Sequence, residues 1–412
     1  MKILHITTKY GEGYRGGVEK YVHGISDLLE TRGHTTAVIY SEKEGASSIS
    51  IERNSYYVPS ACSFKIFPDS AGIRKVVEIV RSENPDVAHI HLMENRQLIK
   101  VLVQLKPVVL FIHNHQASCP SGPKLFKMPL SACDVMPGWI CLWNAFARRC
   151  ISIRPHLLAK AFLRYYSSIE IARQAHAVTV DSIYIKELLV RNGLSTEKIY
   201  ITPPVVGYPN LPASHSYPHD NNILFVGRIE ETKGIGFLIR SLRQIKSPYK
   251  LIVIGDGSYL NEAKHIADQI GIINNIEFLG WIKSDDLLKY FEMSSVVVVP
   301  SIELEPFGMV GPEAMGYERP VIAFNVGAIS EWLIHGETGF LIPPYDIDQM
   351  AMKIDFLLRH KDIAYKFGQR GRKILQERFH PVKLTEKVMN VYQCAINEYS
   401  RRLYPSKAFE QF

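Results

Sequence analysis

A chain of 412 residues exceeds what one ordinary core organises and suits two domains. With 46% hydrophobic and 22% charged residues it is a folded globular protein, and no apolar run approaches the ~20 residues that span a bilayer. The formal net charge of +7 favours anionic partners, yet no basic run is interleaved with aromatics and no zinc-finger or RNP-like pattern occurs, so no nucleic-acid partner is expected.

Ile3-Leu4-His5-Ile6 gives way at once to Thr7-Thr8-Lys9, too short for the apolar region of a signal peptide, and a cytoplasmic protein is expected. Lys2 to Thr7 predicts a buried strand, Gly11 to Gly17 a glycine-rich turn, and Val18 to about Thr31 an amphipathic helix stopped by Gly33. Strands follow at Thr36 to Tyr40, Val87 to Ile90, Pro107 to Ile112 and Ala177 to Val180. Their nearly continuous hydrophobicity implies a parallel sheet covered on both faces. This first doubly wound half covers 1–205, with an insert at about 114–155.

Pro203, Pro204, Pro209, Pro212 and Pro218, with Gly207, mark an extended linker assigned to 206–220. The alternation then restarts over 221–378. Strands are expected at Ile223 to Val226, Lys250 to Ile254, Ile276 to Leu279, Val296 to Val299 and Pro320 to Ala323. Helices are expected at Gly234 to Ile245, Tyr259 to Ile270, Ser284 to Glu292 and Pro312 to Tyr317. Residues 379–412 are read as a final helix and tail, the helix (about Pro381 to Tyr399) packing across the domain interface.

Three segments carry chemistry. Ser301-Ile302-Glu303-Leu304-Glu305-Pro306-Phe307-Gly308-Met309-Val310-Gly311-Pro312-Glu313 follows a buried strand and opens a helix. It places the amides of Gly308, Met309 and Val310 where an anionic or hydroxyl-rich ligand sits, with Glu305 above and Glu313 below. In Val226-Gly227-Arg228-Ile229-Glu230-Glu231-Thr232-Lys233-Gly234 two cations flank the loop after a strand. They either neutralise a diphosphate or pair with Glu230 and Glu231 on a solvated face. Gly16-Gly17 enters the first helix and lets backbone amides approach a phosphate. His113 ends a strand as a substrate contact or as a hydrogen-bonded loop histidine, with His115 as a decoy or a second participant.

The 301–315 segment resembles the Glu-x7-Glu motif of retaining GT-B glycosyltransferases, specifically glycosyltransferase family 4, with Glu305 and Glu313 at its ends and Phe307-Gly308 in register. The resemblance implies two Rossmann-like domains facing across a cleft and metal-independent, retaining transfer of a hexose from a nucleoside-diphosphate sugar. The acceptor it implies is a saccharide or lipid-linked saccharide of cell-surface polysaccharide synthesis, selected by the first half. It also implies that Glu305 contacts the donor sugar, Glu313 the ribose, and Arg228 and Lys233 the diphosphate. Gly16 and Gly17 would approach the donor phosphate, Phe307 would complete the donor loop, and His113 would touch substrate. Base contacts are expected from the backbone near Gly255 and Ile282. No Asp-x-Asp stands in strand context, and no cofactor is expected. An epimerase on the same architecture would lack the Glu-x-Phe-Gly block, and a non-catalytic subunit would bind nucleotide without turnover.

Two departures from that pattern stand out. Pro203-Pro204-Val205-Val206 replaces the usual crossing element, and the insert carries Cys119, Cys133, Cys141 and Cys150. Four thiols can bind metal, pair as disulfides or stay free, and they lack the Cys-x2-Cys spacing of a knuckle. The helix from Pro155 to Tyr166 mixes apolar residues with Lys160 and Arg164, after Arg148, Arg149 and Arg154. It reads either as peripheral on an anionic membrane at its inner face or as an ordinary amphipathic helix.

Overall fold

The computed structural model describes residues 1–10, 16–42, 54–59, 61–63, 69–92, 94–206 and 217–404. The chain divides into two units: unit 1 is Met1–Val205 with Pro381–Phe412, and unit 2 is Val206–His380. Residues 11–15 of the expected glycine turn, most of the expected linker (207–216) and the tail 405–412 lie outside the described residues.

Unit 1 runs β1 (Lys2–Lys9), α1 (Gly17–Glu30), β2 (Thr35–Glu42), β3 (Asn54–Tyr57), α2 (Ser70–Glu83), β4 (Val87–His91), α3 (Arg96–Leu105) and β5 (Val108–Ile112). The insert adds the hairpin β6 (Leu125–Lys127) and β7 (Leu130–Ala132), then α4 (Trp139–Ala147). After it come α5 (Pro155–Gln174), β8 (Ala177–Val180), α6 (Ile183–Arg191) and β9 (Ile199–Ile201). The main sheet has the order β3-β2-β1-β4-β5-β8-β9 and its pairings are parallel. Period-2 alternation divides its side chains between two cores. Leu4, Ile6, Ile90, Leu110 and Val178 point to one face, and Ile3, Val38, Val109 and Phe111 to the other.

Unit 2 runs β10 (Asn222–Val226), α7 (Ile235–Leu242), β11 (Lys250–Ile254), α8 (Leu260–Gln269), β12 (Ile276–Gly280) and α9 (Ser284–Met293). It continues with β13 (Val296–Val299), α10 (Val310–Gly316), β14 (Val321–Phe324), β15 (Gly339–Ile342), α11 (Ile347–Arg359) and α12 (Lys361–Arg378). Its sheet order, β12-β11-β10-β13-β14-β15, repeats the plan of unit 1, again with parallel pairings. Two doubly wound Rossmann-like sheets are therefore present.

The last helix, α13 (Pro381–Leu403), belongs to unit 1. Val388, Val391, Tyr392 and Ala395 join the core formed by Ile3, Tyr21 and Phe111. Among the described residues no helix is long and apolar enough to cross a membrane.

Candidate functional site

Strand order in unit 2 reverses between β10 and β13, and loops leaving the carboxyl ends at such a reversal form the natural ligand crevice of an open α/β sheet. The loop after β10 carries Gly227, Arg228 and a short 3-10 turn, Glu231–Lys233. It lies flat against the end of β13 because Gly234 has φ +74° and a Cβ there would stand 1.8 Å from the Pro300 carbonyl oxygen. The Thr232 carbonyl accepts from the amides of Ile302 (2.9 Å) and Glu303 (3.3 Å), which fastens the second loop to the first.

This fastening sets the charged groups. Lys233 Nζ stands 2.5 Å from Glu303 Oε1 and 2.7 Å from Glu305 Oε1. Glu305 Oε1 also accepts from Ser301 Oγ at 2.5 Å, and Glu303 Oε2 from Thr232 Oγ1 at 2.9 Å. Burial alone would lower the Lys233 pKa, but the Glu305 and Glu303 carboxylates outweigh it and raise the ammonium above the ordinary lysine value. Burial likewise pushes Glu303 up, and Lys233, Thr232 and Arg228 together bring it below the ordinary carboxylate value. Arg228 is itself exposed. The alternative partners, Glu230 and Glu231, do not take this lysine: Glu230 accepts from Ser258 Oγ at 2.6 Å. Glu303, which does not stand in register with Phe307-Gly308, is a full member of the cluster.

Beyond Glu305 the loop is buttressed from below. Trp332, wholly buried, donates from Nε1 to the Phe307 carbonyl at 2.6 Å. A Cβ on Gly311 would meet its ring at 1.9 Å, and Gly308 takes φ +82°. The Glu305 carbonyl accepts from Ala328 N at 2.9 Å. Helix α10 begins at Val310 with Met309 as its N-cap, and half-buried Glu313 lies in its first turn. Gly255 takes φ +137° at the end of β11, where a Cβ would stand 1.8 Å from the Gly227 carbonyl oxygen. Half-buried Ile282 follows β12. Asp346 and Asp348 form an Asp-x-Asp occupied otherwise: Asp346 caps α11 through Gln349 N (2.8 Å), and Asp348 accepts from Gln244 (2.6 Å).

In unit 1, Gly16 is the N-cap of α1, backed so closely by the Glu19 carboxylate that a Cβ would lie 2.0 Å from it, and exposed Gly17 is the first helical residue. His113 follows β5, beside an open hollow of about 320 Å³ lined by Leu92, Asn114, Gln116 and Ser168. Its Nε2 is 3.1 Å from His91 Nδ1, and His91 Nε2 is 3.2 Å from His5 Nδ1. Asp181 approaches His113 Nδ1 at 3.8 Å, too far for a hydrogen bond, and Ser182 caps α6. Burial, reinforced by the neighbouring imidazoles, holds His89 and His91 well below the ordinary histidine value, so both are neutral. Neutral His91 has one donor and one acceptor nitrogen, so its tautomer decides whether it donates to or accepts from His113 Nε2. The register explains the line: His5 pairs with His89 across β1 and β4, and His91 with Phe111 across β4 and β5. His115 is buried against the Tyr184 ring, centroids 5.8 Å apart.

The cysteines of the insert are free thiols; Cys119, Cys133 and Cys141 are buried and Cys150 is partly so. Burial and then the neighbouring thiols push Cys141 and Cys150 up to about 11. Among the described residues the close grouping of metal-type ligand atoms, within 4.8 Å of one another, is His5, His89 and His91, whereas no three of these sulfurs come so near. Sequence reasoning also passed over Lys124, which is buried in this insert and donates to the Val135 carbonyl at 3.2 Å.

Comparison with known proteins agrees with this architecture. Residues 15–206 match the sequence family described as Glycosyltransferase Family 4, and residues 210–374 match Glycosyl transferases group 1. An uncharacterised glycosyltransferase of Methanocaldococcus jannaschii is 32% identical over 43% of this chain and 46% of its own length. The capsular polysaccharide biosynthesis glycosyltransferase CapM of Staphylococcus aureus is 30% identical over 45% of this chain and 49% of its own. The matched stretch thus spans about half the length of these relatives. Anabaena Alr3699/HepE, solved in complex with UDP, superposes with a TM-score of 0.69 over 95% of this chain and 100% of that one, at 17% identity, and shows the fold. With both halves matched and both sheets wound alike, the chain belongs to the GT-B glycosyltransferases of the family 4 type.

Proposed function

We propose that this protein is a retaining, metal-independent hexosyltransferase that takes a hexose from a nucleoside-diphosphate sugar, with UDP or GDP as the base-bearing half. The observation that carries the reading is the joining of Lys233 to Glu305 and Glu303 at the strand-order reversal of unit 2. Lys233 and exposed Arg228 supply fixed positive charge for the departing diphosphate, the largest expected catalytic contribution. Glu305 receives the sugar hydroxyls, the amides of Gly308, Met309 and Val310 lie along the same loop, and Glu313 takes the ribose diol. Gly255 and Ile282 offer backbone to the base. In unit 1 the reading assigns substrate contact to His113 and to the Gly16-Gly17 amides.

The bond from the anomeric carbon to the diphosphate oxygen breaks with its electron pair going to oxygen, and the acceptor hydroxyl attacks the same face. The hydroxyl proton passes to the leaving phosphate oxygen, which balances the transfer. The relative that works in capsular polysaccharide synthesis supports a saccharide or lipid-linked saccharide acceptor. A lipid-linked acceptor would bring the protein to the inner face of an anionic membrane.

A thermal-shift panel of UDP-, GDP- and ADP-sugars on wild type and Arg228→Ala tests the donor. A ligand at 100 times its Kd adds about 2.7 kcal/mol, which is visible as a melting shift. A shift for one base that vanishes in the variant supports the reading. Stabilisation by every nucleotide in both proteins, or by none, removes the diphosphate role. Proton NMR of the product's anomeric centre decides retention.

A further inference from the structure

The insert presents a surface that the donor site does not use. In α4 only Cys141 and Ala145 are buried, while Trp139 (87%), Trp143 (71%), Ile140 (69%) and Phe146 (50%) stand exposed. Ile153, Leu157, Leu163 and Tyr166, in the following segment and α5, are exposed as well. Solvated helices of globular proteins bury their apolar stripe; this one turns two of the chain's four tryptophans outward. Along the segment itself the charge has one sign, between Asp134, which pairs with Arg191, and Glu170. From Val135 to Ile169 there are five Lys and Arg residues and no Asp or Glu. Arg149, Arg154 and Lys160 are exposed, while Arg148 lies over the Phe126 ring and Arg164 pairs with Glu94.

We infer that α4 and the start of α5 form a membrane-docking surface that lies in the interface of an anionic bilayer, with Trp139, Ile140, Trp143 and Phe146 entering the headgroup and acyl boundary and the basic residues on the lipid phosphates. Indole rings, one end apolar and one polar, suit that boundary. Helix α4 has nine residues, far short of a span, so it lies along the surface. A second copy of this chain is a poor occupant, since a self-complementary contact would set like charges together around the patch. The inference deepens the reading of a lipid-linked acceptor by naming the surface that meets the lipid, and it depends on no part of the donor site.

The test is flotation with phosphatidylcholine vesicles, with and without phosphatidylglycerol, for wild type, Trp139→Ser/Trp143→Ser and Arg149→Glu/Arg154→Glu/Lys160→Glu. No donor or acceptor is present, so failure here leaves the donor reading standing, and failure of the thermal-shift panel leaves this one. Wild type is expected to float with the anionic vesicles, with a blue shift in tryptophan emission. The double variant should bind on the order of tenfold more weakly, and the triple variant should lose the preference for anionic lipid. Unchanged far-UV dichroism checks that the variants are folded. Wild type remaining with the unbound protein overturns the inference, as does a double variant that floats like wild type. Self-association removed by the double variant, with no vesicle binding, assigns the face to a second copy and overturns it too.

Discussion

Lys233 Nζ lies 2.7 Å from Glu305 Oε1, so a residue of the β10 loop and one of the β13 loop share a single ion pair at the point where the sheet of unit 2 reverses. Glu303 completes the pair on its other side. Removing the ammonium strands two carboxylates in a mostly buried setting. Lys233→Met should therefore lower unfolding stability by about 2 to 3 kcal/mol, since breaking a buried pair from one side leaves an uncompensated charge. Urea denaturation measures it; a variant as stable as wild type would show that the lysine is not a structural counter-ion.

Glu305→Gln keeps the size and the Ser301 contact but removes the charge facing Lys233. Transfer is expected to fall by roughly two to three orders of magnitude, the range seen when one preorganised transition-state contact is lost. Near-wild-type turnover of a confirmed donor would remove Glu305 from the chemistry.

Gly311 has no room for a side chain, because its Cβ position lies 1.9 Å from the Trp332 ring. Gly311→Ala must displace the indole that holds the Phe307 carbonyl. A loss of about 1 to 3 kcal/mol is expected, as for overpacked cores, with weakened nucleotide binding because the same loop carries Glu305. A thermal melt and a titration with the donor measure the two effects; an unshifted melt would show that the loop has slack.

Burial, with Arg402 and Lys198 nearby, lowers His176 to about 4, and its Nδ1 accepts from the Val108 amide at 3.0 Å. An unfolded histidine titrates near ~6.5. Between these values the unfolded chain binds a proton that the folded chain refuses, so this contribution is complete above 6.5 and is lost as pH falls toward 4, by at most about 1.4 kcal/mol per pH unit. His176→Gln should lose less stability than wild type between neutral pH and pH ~5. Equal losses in paired denaturation curves would place the acid sensitivity elsewhere.

The thiols of Cys141 and Cys150, near 11, hold little thiolate at neutral pH. Maleimide should label them slowly in the native protein and quickly once it is unfolded. Rapid native labelling, located by peptide mass spectrometry, would contradict the buried arrangement.

Most of the framework is legible in residue order. Val296-Val297-Val298-Val299 reads as a strand buried on both faces, and Glu305 with Glu313 flags the loop and helix after it. The edge strands carry weaker signals: Asn54–Tyr57 opens on two polar residues, Ile199–Ile201 is only three residues long, and Gly339–Ile342 is four residues opening on glycine. The imidazole line could not be read, because nothing local brings β1 beside β4; His5 and His89 become neighbours only through sheet order. Glu303 was within reach, since two residues of extended chain return a side chain to the face shared with Glu305. The outward tryptophans of α4 could not be read, because an apolar helix looks alike whether a core or water covers it.

The place of α13 bears on the order in which the protein is made. Unit 2 is one continuous stretch, whereas unit 1 receives Val388, Val391 and Tyr392 only from beyond residue 380. During synthesis, which runs N-terminal first, the second sheet can be complete while one face of the first still lacks its cover, with Tyr21 and Phe111 waiting. A released chain ending at His380 should therefore show a protease-resistant second unit and a susceptible first, the reverse of their order along the chain.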